Sequence, residues 1–173
     1  MSESLDFIFE RANSALITQD FAYAERLLTN ALKKHPNILP NDKEKIENLL
    51  ARIYGDEGDL ERSLAAYLRL YEREPDNIEL MLNLGRTYRH LGRYEDALKI
   101  LEKAKDIGGD TDEVLYNLAK TYKRMREYDK AADYFSRAIE VKPDHAHAYD
   151  RLGNLYVLTG ETDKAIEIYK KGL

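Results

Sequence analysis

Small and apolar residues recur along the chain at a fixed step. From Ile78 to Thr111 they stand at Leu84, Gly85, Tyr88, Gly92, Ala97, Leu101 and Ala104. A shift of 34 residues lands on Leu118, Ala119, Tyr122, Arg126, Ala131, Phe135 and Ala138. A second shift lands on Leu152, Gly153, Tyr156, Gly160, Ala165, Tyr169 and Gly172. The same step taken backwards gives Leu50, Ala51, Tyr54, Gly58, Ser63, Tyr67 and Leu70. A constant period of this length predicts an architecture of stacked repeats. Each copy carries two small residues where two helix backbones can approach closely, at Ala51/Ser63, Gly85/Ala97, Ala119/Ala131 and Gly153/Ala165. A tyrosine three residues beyond the first small residue fills the space beside that contact.

Taken in order, the chain divides into repeats at about 5–38, 44–77, 78–111, 112–145 and 146–173, with an insertion at 39–43. Ser4 is placed to cap a first helix with Leu5, Ile8, Ala12 and Ala15 at helical spacing. A second helix follows Asp20 and ends at Pro36. This copy departs from the pattern, with Arg11 and Ala15 where later copies have Leu and Tyr, as expected of a terminal repeat. The insertion reads as a surface loop. Asn41, with Glu44 three residues on, reads as a capping box for the next helix. Helices are then expected near 42–55, 59–73, 78–91, 94–106, 112–125, 128–140, 146–158 and 162–172. Glu47 is off-pattern, so Ile46, Leu49, Leu50 and Ile53 are expected to set their helix. Pro75 and Pro143 close two repeats where a helix must stop, and Gly109 holds the equivalent place between them.

These residues resemble the signature of the tetratricopeptide repeat family: Leu-Gly, then Tyr, Ala, a bulky apolar residue, Ala and Pro. The resemblance spans almost the whole chain and implies an all-α fold, a right-handed α-solenoid of five helix-turn-helix repeats with the last one incomplete, in one domain over 1–173. It implies that the first helix of each pair lines a concave groove. It does not fix a function, since sites are grafted onto folds. On the family's inward-facing places this chain carries Arg52; Leu82, Asn83, Arg86, Arg89 and His90; Tyr116, Asn117, Lys120, Lys123 and Arg124; and Arg151 with Asn154.

Composition adjusts this picture only slightly. The 173 residues are 43% hydrophobic and 34% charged, which suits a globular chain. With no cysteine, neither disulfides nor thiolate chemistry is available. No apolar run reaches the ~20 residues a membrane span needs. The N-terminal residues lack the basic and apolar segments of a secretion signal, so a cytoplasmic location is expected, subject to any longer parent protein. A net charge of −5 argues against general nucleic-acid binding, as do Glu79 and Glu113 on the groove face.

Against that acidic total, the groove places read as basic. Arg and Lys there are suited to carboxylates or phosphates through charge-assisted hydrogen bonds. Asn83 and Asn117 are suited to holding a peptide backbone. The expected function is a protein–protein interaction scaffold or adaptor that binds a peptide segment without catalysis or cofactor, the cations pointing to an acidic or C-terminal one. The alternative is a structural or oligomerisation segment of a larger protein, associating end to end through Ile166, Tyr169 and Leu173, apolar residues that no following repeat covers. The clamp by which co-chaperone members of the family grip heat-shock chaperone C-termini is incomplete. In its best register, Leu82, Arg86, Asn117, His147 and Arg151, only Asn117 and Arg151 agree, so that partner is not expected. His145 and His147 lack further ligands for a metal, and Gly108-Gly109 reads as a turn. Most of the 13 tyrosines fall at packing places and are expected in the core, Tyr116 excepted.

Overall fold

The structure, a computed structural model, describes residues 4–35 and 37–172; the expected helix stop at Pro36 and the expected surface residue Leu173 lie outside them. The described residues form ten α-helices and no strand. They divide into two compact units, Met1–Pro75 and Asp76–Leu173. The first holds α1 (Leu5–Ile17), α2 (Phe21–Lys34), α3 (Pro40–Asp56) and α4 (Leu60–Arg73). The second holds α5 (Ile78–His90), α6 (Tyr94–Gly108), α7 (Asp112–Arg124), α8 (Tyr128–Val141), α9 (Ala146–Thr159) and α10 (Thr162–Lys171). Helices pair in sequence order, α1 on α2 through α9 on α10, and within each unit one pair packs on the next.

In the first unit, Ile8, Ala12, Ala15, Ala24, Leu28, Ala31, Ile46, Leu50 and Ile53 form one buried cluster. The insertion is not a loop. Pro40 to Lys43 form the opening turn of α3, with Pro40 at the first helical position, where a missing N–H costs nothing. The residue before the helix is therefore Leu39, whose side chain cannot accept a capping bond, and the capping box expected at Asn41 does not form. Glu47, off-pattern in the sequence, faces Arg73 of α4 in an ion pair. Five other helices have side-chain N-caps: Ser4, Asp20, Asp59, Asn77 and Thr111 each accept a backbone N–H three residues on.

In the second unit the small residues do as their spacing predicts. A Cβ added at Gly85 would stand 2.7 Å from Leu101 of the paired helix, so only glycine allows that approach. Ala119, Ala131, Phe135, Leu152 and Leu155 form one buried cluster, and Leu115, Ala138 and Ala148 another. The first helices of neighbouring pairs, α5 and α7, also touch directly, while α6 and α8 make no comparable contact. That asymmetry puts α5 and α7 on the closer-packed side of this unit.

The tyrosines depart from expectation. Among the described residues, Tyr67 alone of the tyrosines is fully buried. The repeat tyrosines Tyr54, Tyr88, Tyr122 and Tyr156 are half-buried, each roofed by a cation: Arg62 at 3.8 Å, Arg93 at 4.8 Å, Lys130 at 5.3 Å and Lys164 at 5.4 Å from the ring centre. Each cation also pairs with an acid three residues away: Asp59–Arg62, Glu127–Lys130 and Glu161–Lys164 run acid first, whereas Arg93–Asp96 runs cation first. The polarity is inverted in one repeat, yet the cation still covers the ring. The exchange Arg93→Asp with Asp96→Arg restores the order of the other repeats. It is expected to leave stability within about 0.5 kcal/mol, whereas Arg93→Asp alone costs up to about 1 kcal/mol, measured by urea unfolding.

Candidate anion-binding cleft

One face of the second unit gathers the cations that helix spacing assigned to a groove. A cleft of about 640 Å³ is lined by Arg89 and His90 of α5, Lys120, Lys123 and Arg124 of α7, and Arg151 of α9. Tyr94, Arg126, Tyr128, Phe135 and Leu158 complete its wall, and no carboxylate lines it. Arg86 stands close enough to depress both Arg89 and Lys120 electrostatically. The placement follows from α-helical geometry: residues three and four apart share a face, so Arg86, Arg89 and His90, then Lys120, Lys123 and Arg124, project together.

Arg89 is the unusual member. It is 3% exposed, its Nη1 donates to Asn117 Oδ1 at 3.4 Å, and its Nη2 has no partner. Burial, with Arg86 and Arg124 nearby, pulls its pKa down to about 10. Lys120 is pulled down to about 8, first by burial and then by Arg89, Arg151, Arg86 and Arg124. Lys123 and His90 are lowered as well, again chiefly by burial; Asp150 partly opposes the shift at Lys123. A buried cation without a countercharge is unfavourable. Burial is the first cause of each of these downward shifts, and neighbouring cations add to it.

The other expected residues are less available. Asn83 Oδ1 accepts from Arg86 Nη2 at 3.0 Å. Asn117 spends its Oδ1 on Arg89 and its Nδ2 on the Glu113 carbonyl, and Asn154 donates to Asp150. These amides orient the arginines or their own helix turns. Tyr116 is not an open platform: its ring meets Phe135 edge-on at 5.6 Å and His145 at 5.0 Å, with Lys120 Nζ 5.2 Å away. Leu82 is half-buried on α5. Arg52 belongs to α3 of the first unit, where it is half-buried. Among the described residues no three His, Cys, Asp or Glu side chains are grouped to hold a metal.

Sequence spacing missed Tyr94, Arg126, Tyr128 and Phe135, which come from a turn and from second helices, and it did not single out Leu158 of α9, which shares the register of His90 and Arg124. Arg126 did leave a signal. It occupies the turn place held by Gly58, Gly92 and Gly160, whose φ values are 87°, 75° and 81°. Arg126 takes φ 64° there, as Gln19 takes 59° in the first repeat. For a side-chain-bearing residue this left-handed conformation costs about 1 kcal/mol.

The sequence matches the tetratricopeptide repeat family over residues 42–108, 76–144 and 110–173. The chain belongs to the tetratricopeptide repeat family. Repeats of this kind are protein-interaction scaffolds, and the helical hairpins above are the family's building unit. No curated protein matches the chain by sequence. Several solved structures share its fold. TTC0263, a thermophilic TPR protein in Thermus thermophilus, superposes with TM-score 0.81 at 22% identity, over 98% of this chain and 90% of that one. BtubC from P. vanneervenii gives 0.78 at 21%, over 95% and 76%. MamA 41-end from Desulfovibrio magneticus RS-1 gives 0.73 at 16%, over 99% and 94%. Among the described residues no helix is long and apolar enough to cross a membrane.

Proposed function

We propose that this tetratricopeptide repeat chain is an adaptor that holds an acidic peptide segment of a partner protein on the α5/α7/α9 face. The observation that carries the reading is the surplus of positive charge there: six arginines and lysines line the cleft, Asp150 stands 3.7 Å from Arg151 at its edge, and the most buried of the six, Arg89, has a free donor. An acidic segment supplies the missing acceptors and relieves the mutual repulsion. Helices ordered before the segment arrives keep the entropic cost of association low.

The reading predicts a pH dependence. Lys120 holds its proton only up to about pH 8 in the free protein, facing Arg86 and Arg89 of α5, Arg124 of α7 and Arg151 of α9. A bound carboxylate favours the charged form. Binding near pH 8 therefore takes up a proton, and affinity falls as pH rises past 8. For folding the sign is opposite: the depressed pKa means the unfolded chain binds more protons, so Lys120 makes stability rise with pH between about 8 and 10.5. Fluorescence anisotropy of a labelled, capped oligoglutamate peptide, titrated at pH 7 and pH 9 and at several salt concentrations, tests this. Tighter binding at pH 7, weakened by salt, is expected; no binding at low salt refutes the reading.

A second reading rests on a separate observation. Val157, Leu158, Ile166 and Tyr169 of α9 and α10 are 58%, 57%, 47% and 37% exposed. Such apolar exposure suits association with a second copy or an adjoining segment. Mass that grows with concentration in sedimentation, and that Ile166→Glu holds at the monomer, favours it.

A further inference from the structure

We propose that the cleft around Arg89, Lys120 and Arg126 is a subsite for a doubly charged phosphate group carried on a side chain of the partner segment. This rests on the acidic-segment reading and makes it specific. The first ground is convergence. Arg89 of α5, Lys120 and Arg124 of α7, Arg126 of the following turn and Arg151 of α9 line one cleft, and Arg86, Arg89, Arg124 and Arg151 all act on the single ammonium of Lys120. A row of singly charged carboxylates fits a stripe. A compact dianion with three acceptor oxygens fits a point, and guanidinium groups meet such oxygens in pairs.

The second ground is the buried guanidinium. Arg89 Nη2 is a donor without an acceptor in a side chain that is 3% exposed and lines the cleft. Leaving a buried donor unmade is unfavourable by about 1–3 kcal/mol. A ligand oxygen at that position removes the penalty.

The third ground is independent of the first two. Arg126 sits where three other repeats have glycine, in a conformation that glycine adopts without strain, and it lines the same cleft. Strain kept at a ligand site in exchange for a charge is a recognised pattern of binding sites. The cleft's volume of about 640 Å³ suits a side chain and its group more than a run of nucleotides.

The test uses a short capped peptide of glutamate and glycine with one central serine, in three forms: unmodified, phosphorylated, and with the serine replaced by glutamate. Each is titrated calorimetrically into the full chain at pH 7 and constant ionic strength, with an oligouridylate of similar charge as comparison. The phosphorylated form is expected to bind at least tenfold tighter than the other two. Arg126→Gly, which suits the local backbone and leaves the protein as stable or more so in thermal melts, is expected to remove that difference. Equal affinity for the phosphorylated and glutamate forms overturns the phosphate subsite while the acidic-segment reading stands. Binding of none of the peptides overturns both. Tighter binding of the oligouridylate than of the phosphopeptide overturns the assignment to a protein partner.

Discussion

Reversing two charges at the centre of the basic face, Arg86→Glu with Lys120→Glu, is expected to weaken oligoglutamate binding more than about a hundredfold. The basis is that like charges brought together across an interface cost several kcal/mol. Neither residue belongs to a hydrophobic cluster. Arg86 hands a hydrogen bond to Asn83, and Lys120 lies over the Tyr116 ring. The new carboxylates would stand near Arg89, Arg124 and Arg151, the cations whose charge opposes that of Lys120. Stability should therefore hold or rise while binding disappears. That opposition separates a lost site from a lost fold, and anisotropy titrations beside a thermal melt read both. Unchanged affinity in the double variant would sink the acidic-segment reading.

The sequence made the scaffold legible because the repeat is a packing rule. A small residue recurs at Ala51, Gly85, Ala119 and Gly153, which the spacing alone shows, and at Gly85 the structure adds the reason: an added Cβ would stand 2.7 Å from Leu101. The convergence of Arg86, Arg89, Lys120, Lys123, Arg124 and Arg151 was legible for a similar reason: helical periodicity fixes which residues share a face. What could not be read off was everything set by a neighbour. Arg89 looks like any exposed groove cation until α7 covers it, and desolvation is a tertiary property. Asn117 looks free until Arg89 takes its Oδ1. The insertion at 39–43 looks like a loop because its five residues break the period and include a proline, yet proline is at home in the first turn of α3.

Arg126 stands between these cases. Its departure from glycine was visible in the repeat, but only the structure shows that the place takes φ near +64° and that the residue lines the cleft. The repeat tyrosines illustrate the converse. Their spacing was plain, but the cations over them come from different sequence offsets, Arg93 on Tyr88 against Lys130 on Tyr122, so the roof appears only in three dimensions.

Arg89→Met is expected to make the free protein more stable and the binding site much poorer. Methionine keeps most of the buried length of the side chain while removing a cation that has one long bond to Asn117 and an unused Nη2. Replacing buried charge by an apolar group of similar size is often stabilising, by about 1–4 kcal/mol where the charge lacked full compensation. Asn117 loses its long bond but is half-buried, so water can take the place of the guanidinium. Because Arg89 keeps its proton up to about pH 10, the gain should be the same at every pH from neutral to mildly alkaline. Binding moves the other way. Removing one partner of a buried charge pair costs about 2–5 kcal/mol, which is a thirtyfold to several-thousandfold loss of affinity for the acidic peptide. A site that gains stability when its ligand-binding group is deleted is one whose strain is held for binding. Urea unfolding and anisotropy on the same preparation decide it. A less stable Arg89→Met would mean that this guanidinium holds the fold together, and that its free donor is no vacancy for a ligand.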